Sequence, residues 1–382
     1  MNRSLPPAVY IDHDDDFRRL VEQLNQESLI AVDTESNSLH AYRERVCLVQ
    51  ISTRTADYII DPLRIADMSP LGVLLANPAI EKVFHAAEYD LICLKRDYGF
   101  RVVNLFDTMV VARILGNKLI GLNRLLAEHF GIEADKSHQR DDWGVRPLSE
   151  EGLHYAQMDT HYLPELRDIL LGQLEEKGLL VEARETLVEY CDVPVVVTEF
   201  DPEGYWRIGL PNDLTRRQMA ILREVYLLRD KLARERDCPP FKVFSDQVLL
   251  AIAENAPHNL HQLGLIKGMS HQQINRYGRI LIQAVERGKR ASVPHPPARP
   301  PDLDPSVVER FSALREWRKL RAEKRGVESD VIISKEAMWA VAYKLPSSLE
   351  ELNNIEGLGP WRLAAYGEEL LDVMRRYRKV VE

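Results

Sequence analysis

Leu29-Ile30-Ala31-Val32-Asp33-Thr34-Glu35-Ser36 opens on four apolar residues and carries two acids two positions apart. The apolar half reads as a buried strand, and on a strand residues i and i+2 point to the same side. Asp33 and Glu35 therefore share a face where scaffold meets solvent. Two like charges side by side disfavour each other's ionised form unless a cation neutralises them. The pair thus predicts a set of metal ligands; the alternative is a strand end that splays both acids into water.

Two further stretches place acids beside apolar runs. Phe84-His85-Ala86-Ala87-Glu88-Tyr89-Asp90 puts Asp90 near the start of a helix, where it is either a ligand or a helix-cap acid. His85 reads as a packed strand-end histidine rather than a ligand. In Tyr155-Ala156-Gln157-Met158-Asp159 the phenol and the carboxylate are four apart, which stacks them on one helix face. The rival is a tyrosine packed on the core beside an exposed acid. Oxygen-rich sets of this kind suit hard divalent ions shared with substrate phosphates. If Asp33, Glu35, Asp90 and Asp159 converge, they form a two-metal site for cutting phosphodiesters.

Around these motifs the first half alternates strand and helix signals. Strands are expected at 28–33, 46–52, 57–61, 81–85 and 102–105, the first three as a meander. Helices are expected near 88–98, 108–115 and 122–130, and a long one from Ser149 to about Glu176 with a kink at Pro164. This is a mixed sheet covered by helices. A connector rich in Pro and Gly follows, from about Cys191 to Pro211. The segments 212–288 and 306–382 then repeat one another at a shift of 89 residues: Leu260, Leu263, Ile266, Gly268, Tyr277, Gly278 and Leu281 fall on Leu349, Leu352, Ile355, Gly357, Tyr366, Gly367 and Leu370. That period is too long for a solenoid and fits tandem small helical domains. A stretch with six prolines between Gly288 and Pro305 separates them as a semi-rigid linker. The resulting division is 1–204, 205–288, 289–305 and 306–382.

With 382 residues, 45% hydrophobic and 29% charged, the chain is expected to hold two to four well-packed domains rather than a disordered polymer. Met1–Tyr10 lacks the apolar run of a signal peptide, and no stretch is long enough to span a bilayer. Cys47, Cys93, Cys191 and Cys238 are scattered without a C-x-x-C pair, which argues against a disulfide framework or zinc site and suits the cytoplasm. The net charge of −9 is uneven: residues 1–204 hold 20 Lys+Arg against 36 Asp+Glu (−16), and residues 205–382 hold 30 against 23 (+7). A basic half is expected to meet a polyanion, although a solvated basic face explains any single cluster.

The order acid-x-acid, His-x4-Asp, Tyr-x3-Asp resembles the DEDDy exonuclease family over roughly residues 8–190, including Gln50, Asp142-Trp143 and Arg146-Pro147-Leu148. The one departure near the motifs is His85-Ala86-Ala87 where the family reads His-Asn-Ala. The repeats resemble the helical nucleic-acid-binding HRDC domain, and one exonuclease domain followed by two of them is similar to the bacterial ribonuclease D family. The resemblance implies a ribonuclease H-like α/β domain followed by two all-α domains. It also implies a metal-dependent 3′→5′ exoribonuclease that releases 5′-mononucleotides and trims tRNA precursors and other structured RNAs. Two divalent ions, Mg2+ or Mn2+, would be held by Asp33, Glu35, Asp90 and Asp159, with Tyr155 orienting the attacking water. RNA is the expected partner; protein partners are left open.

Ser38, Leu39 and His40 follow the first motif and are candidate contacts to the terminal nucleotide; Arg140 and Arg146 are candidate phosphate contacts. In the second repeat Gly357-Leu358-Gly359 can present backbone N–H groups to a phosphate, with plain helix–turn–helix packing as the rival. Three alternative functions stand beside the main one. They are a 3′→5′ DNA exonuclease, since carboxylates do not discriminate sugars, a noncatalytic RNA-binding adaptor, and a protein-interaction role for the repeats.

Overall fold

β2 (Leu29–Ser36) is an inner strand of a six-stranded mixed sheet with the order β1-β4-β3-β2-β5-β6. The computed structural model describes residues 5–133, 137–194, 199–210, 213–298 and 302–378. The other strands are β1 (Val9–Ile11), β3 (Val46–Ser52), β4 (Asp57–Ile60), β5 (Glu81–Phe84) and β6 (Leu105–Asp107). β2 pairs with β5, β5 with β6 and β1 with β4 in parallel; β3 runs antiparallel to β4. Every residue of β3 is buried, as expected for a strand covered on both faces.

Alternation along β2 divides the core. Ile30 and Val32 join Phe17 and Leu20 of α1 (Asp14–Leu24), Leu71 of α2 (Ser69–Leu75) and Leu91 of α3 (Glu88–Tyr98). Leu29 and Ala31 join Val111 of α4 (Thr108–Ile114), Leu125 of α5 (Leu122–Phe130) and Leu163 and Leu166 of α7 (Leu163–Glu176). α6 (Glu150–His161) covers Leu48 and Ile59 through Ala156, together with Trp143. α8 (Leu180–Tyr190) adds Ala183 and Leu187 to the α4–α7 side.

Several expected boundaries shift for identifiable reasons. The strand expected at 102–105 is instead Leu105–Asp107, because the parallel ladder with β5 matches Lys82 with Leu105 and Phe84 with Asp107. The single long helix is two, α6 and α7, joined at Tyr162. Pro164 stands in the first turn of α7, where its missing N–H leaves no bond unmade. β1 was not expected; three residues are too few to show alternation.

The chain divides into two units: Met1–Glu35 with Val46–Val195 and Asp302–Glu382, and Ser36–Arg45 with Val196–Pro301. The first repeat belongs to the second unit, built from α9 (Tyr205–Gly209), α10 (Arg216–Glu235), α11 (Pro240–Val243), α12 (Asp246–Asn255), α13 (Leu260–Gly264) and α14 (His271–Arg290). Met219, Leu222, Val225 and Leu232 form the buried face of α10. Tyr42 packs on this core, and its hydroxyl donates to Asp230 at 2.5 Å.

The second repeat lies in the first unit with the sheet. It consists of α15 (Pro305–Arg325), α16 (Ser329–Ile332), α17 (Lys335–Lys344), α18 (Leu349–Asn353) and α19 (Pro360–Arg378). Its Val327 and Val331 pack into the α4–α7 core, and Arg113 of α4 pairs with Asp330. The two copies thus share a sequence pattern but not a unit. Residues 195–198 of the connector and 299–301 of the linker lie outside the described residues.

Candidate active site

Asp33 and Glu35 leave β2 beyond its apolar half, on the side that Leu29 and Ala31 define. The parallel register of β2 with β5, Leu29 with Glu81 and Ala31 with Val83, brings Asp33 level with the end of β5. The chain turns there through His85, Ala86 and Ala87 into α3, and Asp90 falls in the first turn of that helix. Asp107 fixes the turn: its buried carboxylate accepts from the Ala86 and Ala87 N–H groups and also caps α4 through Met109 and Val110. Ala86 has φ +61°, a left-handed conformation that Asn tolerates better than Ala. That is a physical reason for the asparagine of the family pattern.

α6 brings the third motif. Gln157 and His161, one turn apart, bond Asp57 of β4 at 2.6 and 2.8 Å. Tyr155 and Asp159 occupy a neighbouring stripe of the same helix. They line a hollow of about 700 Å³ with Asp33, Thr34, Glu35, His85, Asp90, Arg124, Glu133 and Gln139. One carboxylate oxygen each from Asp33, Glu35 and Asp159 lie within 4.8 Å of one another.

Asp90 borders the hollow but is held differently. Its Oδ1 accepts from the Thr34 N–H at 3.1 Å and the Thr34 hydroxyl at 2.5 Å, so the residue between the two strand acids fixes the acid from the helix. Sequence reasoning did not single out Thr34, Asp107, Arg124 or Gln139. The acid-x-acid spacing did offer one signal: the intervening residue of a strand must point away from its neighbours.

The charge is poorly compensated. Burial, then Asp90, Asp159 and Glu35, push Asp33 well above the usual carboxylate range. Burial followed by Asp159, Asp90 and Asp141 pushes Glu35 up to about 9. Asp90 and Asp159 are each pushed up to about 7, mainly by burial. Among the described lining residues Arg124 is the only Arg or Lys. His85 adds no charge at neutral pH, since burial lowers it to about 4, and its Nδ1 meets the Thr108 hydroxyl at 2.9 Å. Buried acids without counterions call for cations from outside, and an all-oxygen donor set fits Mg2+ or Mn2+. Burial and the same acids also push the Tyr155 phenol upward. It therefore stays protonated and serves as a donor.

The two arginines expected to contact phosphate do not line the hollow. Arg146 directs all five of its N–H donors to protein: Nε and one N–H of NH2 to Asp61, the other to Cys47 O, and NH1 to Trp143 O and Val145 O, at 2.5 to 2.8 Å. It is a structural residue and has no donor left for a phosphate. Arg140 is exposed in the turn Ser137–Arg140 and does not line the hollow. Ser38, Leu39 and His40 belong to the second unit, where His40 Nδ1 lies 3.1 Å from Lys242 Nζ.

Comparison with known proteins identifies the family of the chain. A 3′-5′ exonuclease family model matches residues 8–175, and an HRDC domain model matches 218–285 and 308–374. The chain is 34% identical over 267 residues to ribonuclease D of Gluconacetobacter diazotrophicus, covering 69% of this chain and 67% of that protein. It is 34% identical over 292 residues to exosome complex component 10 of Rattus norvegicus, covering 73% of this chain but only 33% of that protein. The crystal structure of Escherichia coli RNase D, an exoribonuclease involved in structured RNA processing, superposes with a TM-score of 0.65 at 27% identity. It covers 97% of this chain and 100% of that one.

Proposed function

The chain belongs to the ribonuclease D family, metal-dependent 3′→5′ exoribonucleases that carry HRDC domains, and from that membership we propose how its own residues perform the reaction. Asp33, Glu35 and Asp159 would hold one divalent cation, and Asp33 with Asp90 a second. Bound there, Mg2+ or Mn2+ supplies a water of lowered pKa and positive charge against the scissile phosphate. Tyr155 orients the attacking water through its hydroxyl and remains protonated throughout. Thr34 keeps the Asp90 carboxylate aimed at the leaving-oxygen side. Arg124, the lone cation of the described lining, meets a phosphate of the incoming strand. The products are 5′-mononucleotides.

The observation that carries this reading is the group of Asp33, Glu35 and Asp159 oxygens within 4.8 Å, half-buried and without a cationic partner among the described lining residues except Arg124. We further propose tRNA precursors and other structured RNAs as substrates, on the likeness to an enzyme of structured RNA processing. A cytoplasmic setting is in keeping with four cysteines that form no disulfide. None of the described helices is long and apolar enough to cross a membrane.

A 5′-labelled RNA with a single-stranded 3′ tail, incubated with Mg2+ or with chelator, tests the reading. Stepwise shortening from the 3′ end with release of 5′-mononucleotides is expected with metal and none with chelator. A matched DNA strand in the same gel reads sugar selection. Unchanged trimming by Asp33→Asn would remove the site assignment.

A further inference from the structure

The two helical repeats differ at the start of their last helix. At the 89-residue shift, Gly268-Met269-Ser270 lies on Gly357-Leu358-Gly359 and Gln273 lies on Arg362. Gly268 and Gly357 have φ of +95° and +80°, so the turn itself is shared. The helix ends are not. In the first copy Ser270 Oγ accepts from the Gln273 N–H at 3.2 Å and Gln273 Oε1 accepts from the Ser270 N–H at 2.9 Å. This capping box satisfies the helix from within.

Gly359 has no side chain with which to do the same. Glu185 of α8 takes the place instead. Its Oε2 accepts from the Trp361 N–H at 2.6 Å and its Oε1 from the Arg362 N–H at 3.2 Å. A Cβ on Gly359 would stand 2.3 Å from the Glu185 carboxyl carbon, so a side chain here would push the carboxylate off the helix end. Arg362, 4% exposed, donates from NH1 to Glu185 at 3.3 Å and Glu189 at 2.9 Å, and from NH2 to Thr186 at 2.9 Å. One turn earlier on α8, buried Glu182 accepts two bonds of 2.8 Å from Arg325. Glu182, Glu185, Thr186 and Glu189 form a single stripe at positions i, i+3, i+4 and i+7.

We propose that the glycine turn of the second repeat is a carboxylate socket dedicated to α8. Glu185 occupies the amides that a nucleic-acid phosphate would otherwise take, so this repeat braces the catalytic unit and does not grip RNA through that turn. A carboxylate and a phosphate are drawn to helix N-terminal amides by the same dipole and the same donors. Glu185 is part of the same folded unit, so its effective concentration exceeds that of a free strand. An incoming phosphate would also face Glu182 and Glu189. The proposal is independent of the hydrolytic chemistry.

Hydrogen exchange of the full-length chain, in chelator to prevent cleavage, tests it. The Trp361 and Arg362 amides should exchange slowly, and a saturating single-stranded RNA oligonucleotide should leave them unchanged. In Glu185→Ala both should exchange about tenfold faster or more, the cost of a lost charge-assisted hydrogen bond. Gly359→Ala should reproduce that signature from the other side of the contact. Glu185→Gln keeps an acceptor and loses the charge, so it preserves the fold even if Ala does not; its amides should exchange at an intermediate rate. A change at Trp361 or Arg362 on adding RNA to the unaltered protein overturns the proposal. So does wild-type protection in Glu185→Gln.

Discussion

Two clusters of buried and half-buried carboxylates stand in the same unit, and they are balanced differently. On α8, Glu182, Glu185 and Glu189 face Arg325 and Arg362 from the second repeat. In the hollow, Asp33, Glu35 and Asp159 face one another, and the nearby charges that act on Glu35 are all acids. Burial raises carboxyls in both places, but at Glu182 and Glu189 the arginines pull against it. The difference separates an adhesive from a reaction site. Acids matched to arginines within the fold hold two elements together. Acids left unmatched keep an unmet demand for cations, which a metal can meet only when it is present.

The sharpest way to break this contrast is Asp33→Asn. Trimming of RNA should fall by about 10³-fold or more, since a ligand to the activated water is lost. Thermal unfolding in chelator should show equal or greater stability, because a like charge has gone. Activity that survives, or a protein that unfolds, would erase the distinction.

Arg362→Met probes the other cluster. It leaves half-buried Glu185 and exposed Glu189 facing each other without their cation, and losing charge-assisted hydrogen bonds at a partly solvated site costs about 1.5–3 kcal/mol. Denaturant unfolding should show that loss, while the rate at low temperature stays close to wild type. A large rate loss in a folded Arg362→Met would show that the α8 cluster takes part in the reaction after all.

Tyr155→Phe removes a donor and leaves the ring packed near Trp143, at 6.0 Å between centroids. A drop of about 10- to 100-fold in kcat is expected for a misplaced water. The pH–rate profile below pH 10 should keep its shape, because the native phenol does not ionise in that range.

A fourth test uses pH without metal. Asp90 and Asp159 are raised to about 7 and Glu35 to about 9. Between the unfolded pKa values, near 4, and these values, the native state binds protons that the unfolded chain has released. Stability in chelator therefore falls as pH rises from 5 to 9. Added Mg2+ or Mn2+ should raise the unfolding temperature more at pH 8 than at pH 6, and Asp33→Asn should flatten that difference. Equal stabilisation by metal at both pH values would contradict the charge account of the hollow.

The smallest effect concerns the turn that presents Asp90. Ala86→Asn relieves a left-handed alanine and should stabilise the protein by about 0.5 kcal/mol, with trimming unchanged. A loss of stability there would mean that the Asn side chain does not fit at the rim of the hollow.

Much of the hollow was legible in the sequence because it depends on short-range periods. Two residues along a strand pair Asp33 with Glu35, and four along a helix pair Tyr155 with Asp159. The clamp of Thr34 on Asp90 was not legible: it joins residues 56 apart in sequence. Arg146 looked like a phosphate contact because nothing local reveals Asp61 as its partner, 85 residues away. The acidic stripe of α8 can be counted from its spacing, yet a solvated helix face has the same spacing. Likewise the repeat was plain at 89 residues, while the fusion of the second copy to the sheet came from Val327, Val331 and Arg113, which no repeat pattern marks.

What the chain by itself determined was which carboxylates share a face, where the strands and helices that carry them fall, and that one helical domain occurs in two copies, since each follows from backbone geometry over a few residues. Tertiary structure alone decided which acids meet an arginine and which do not. That choice fixes the roles of the two clusters, because the free energy of a buried charge depends on the groups folded against it and not on its neighbours in sequence.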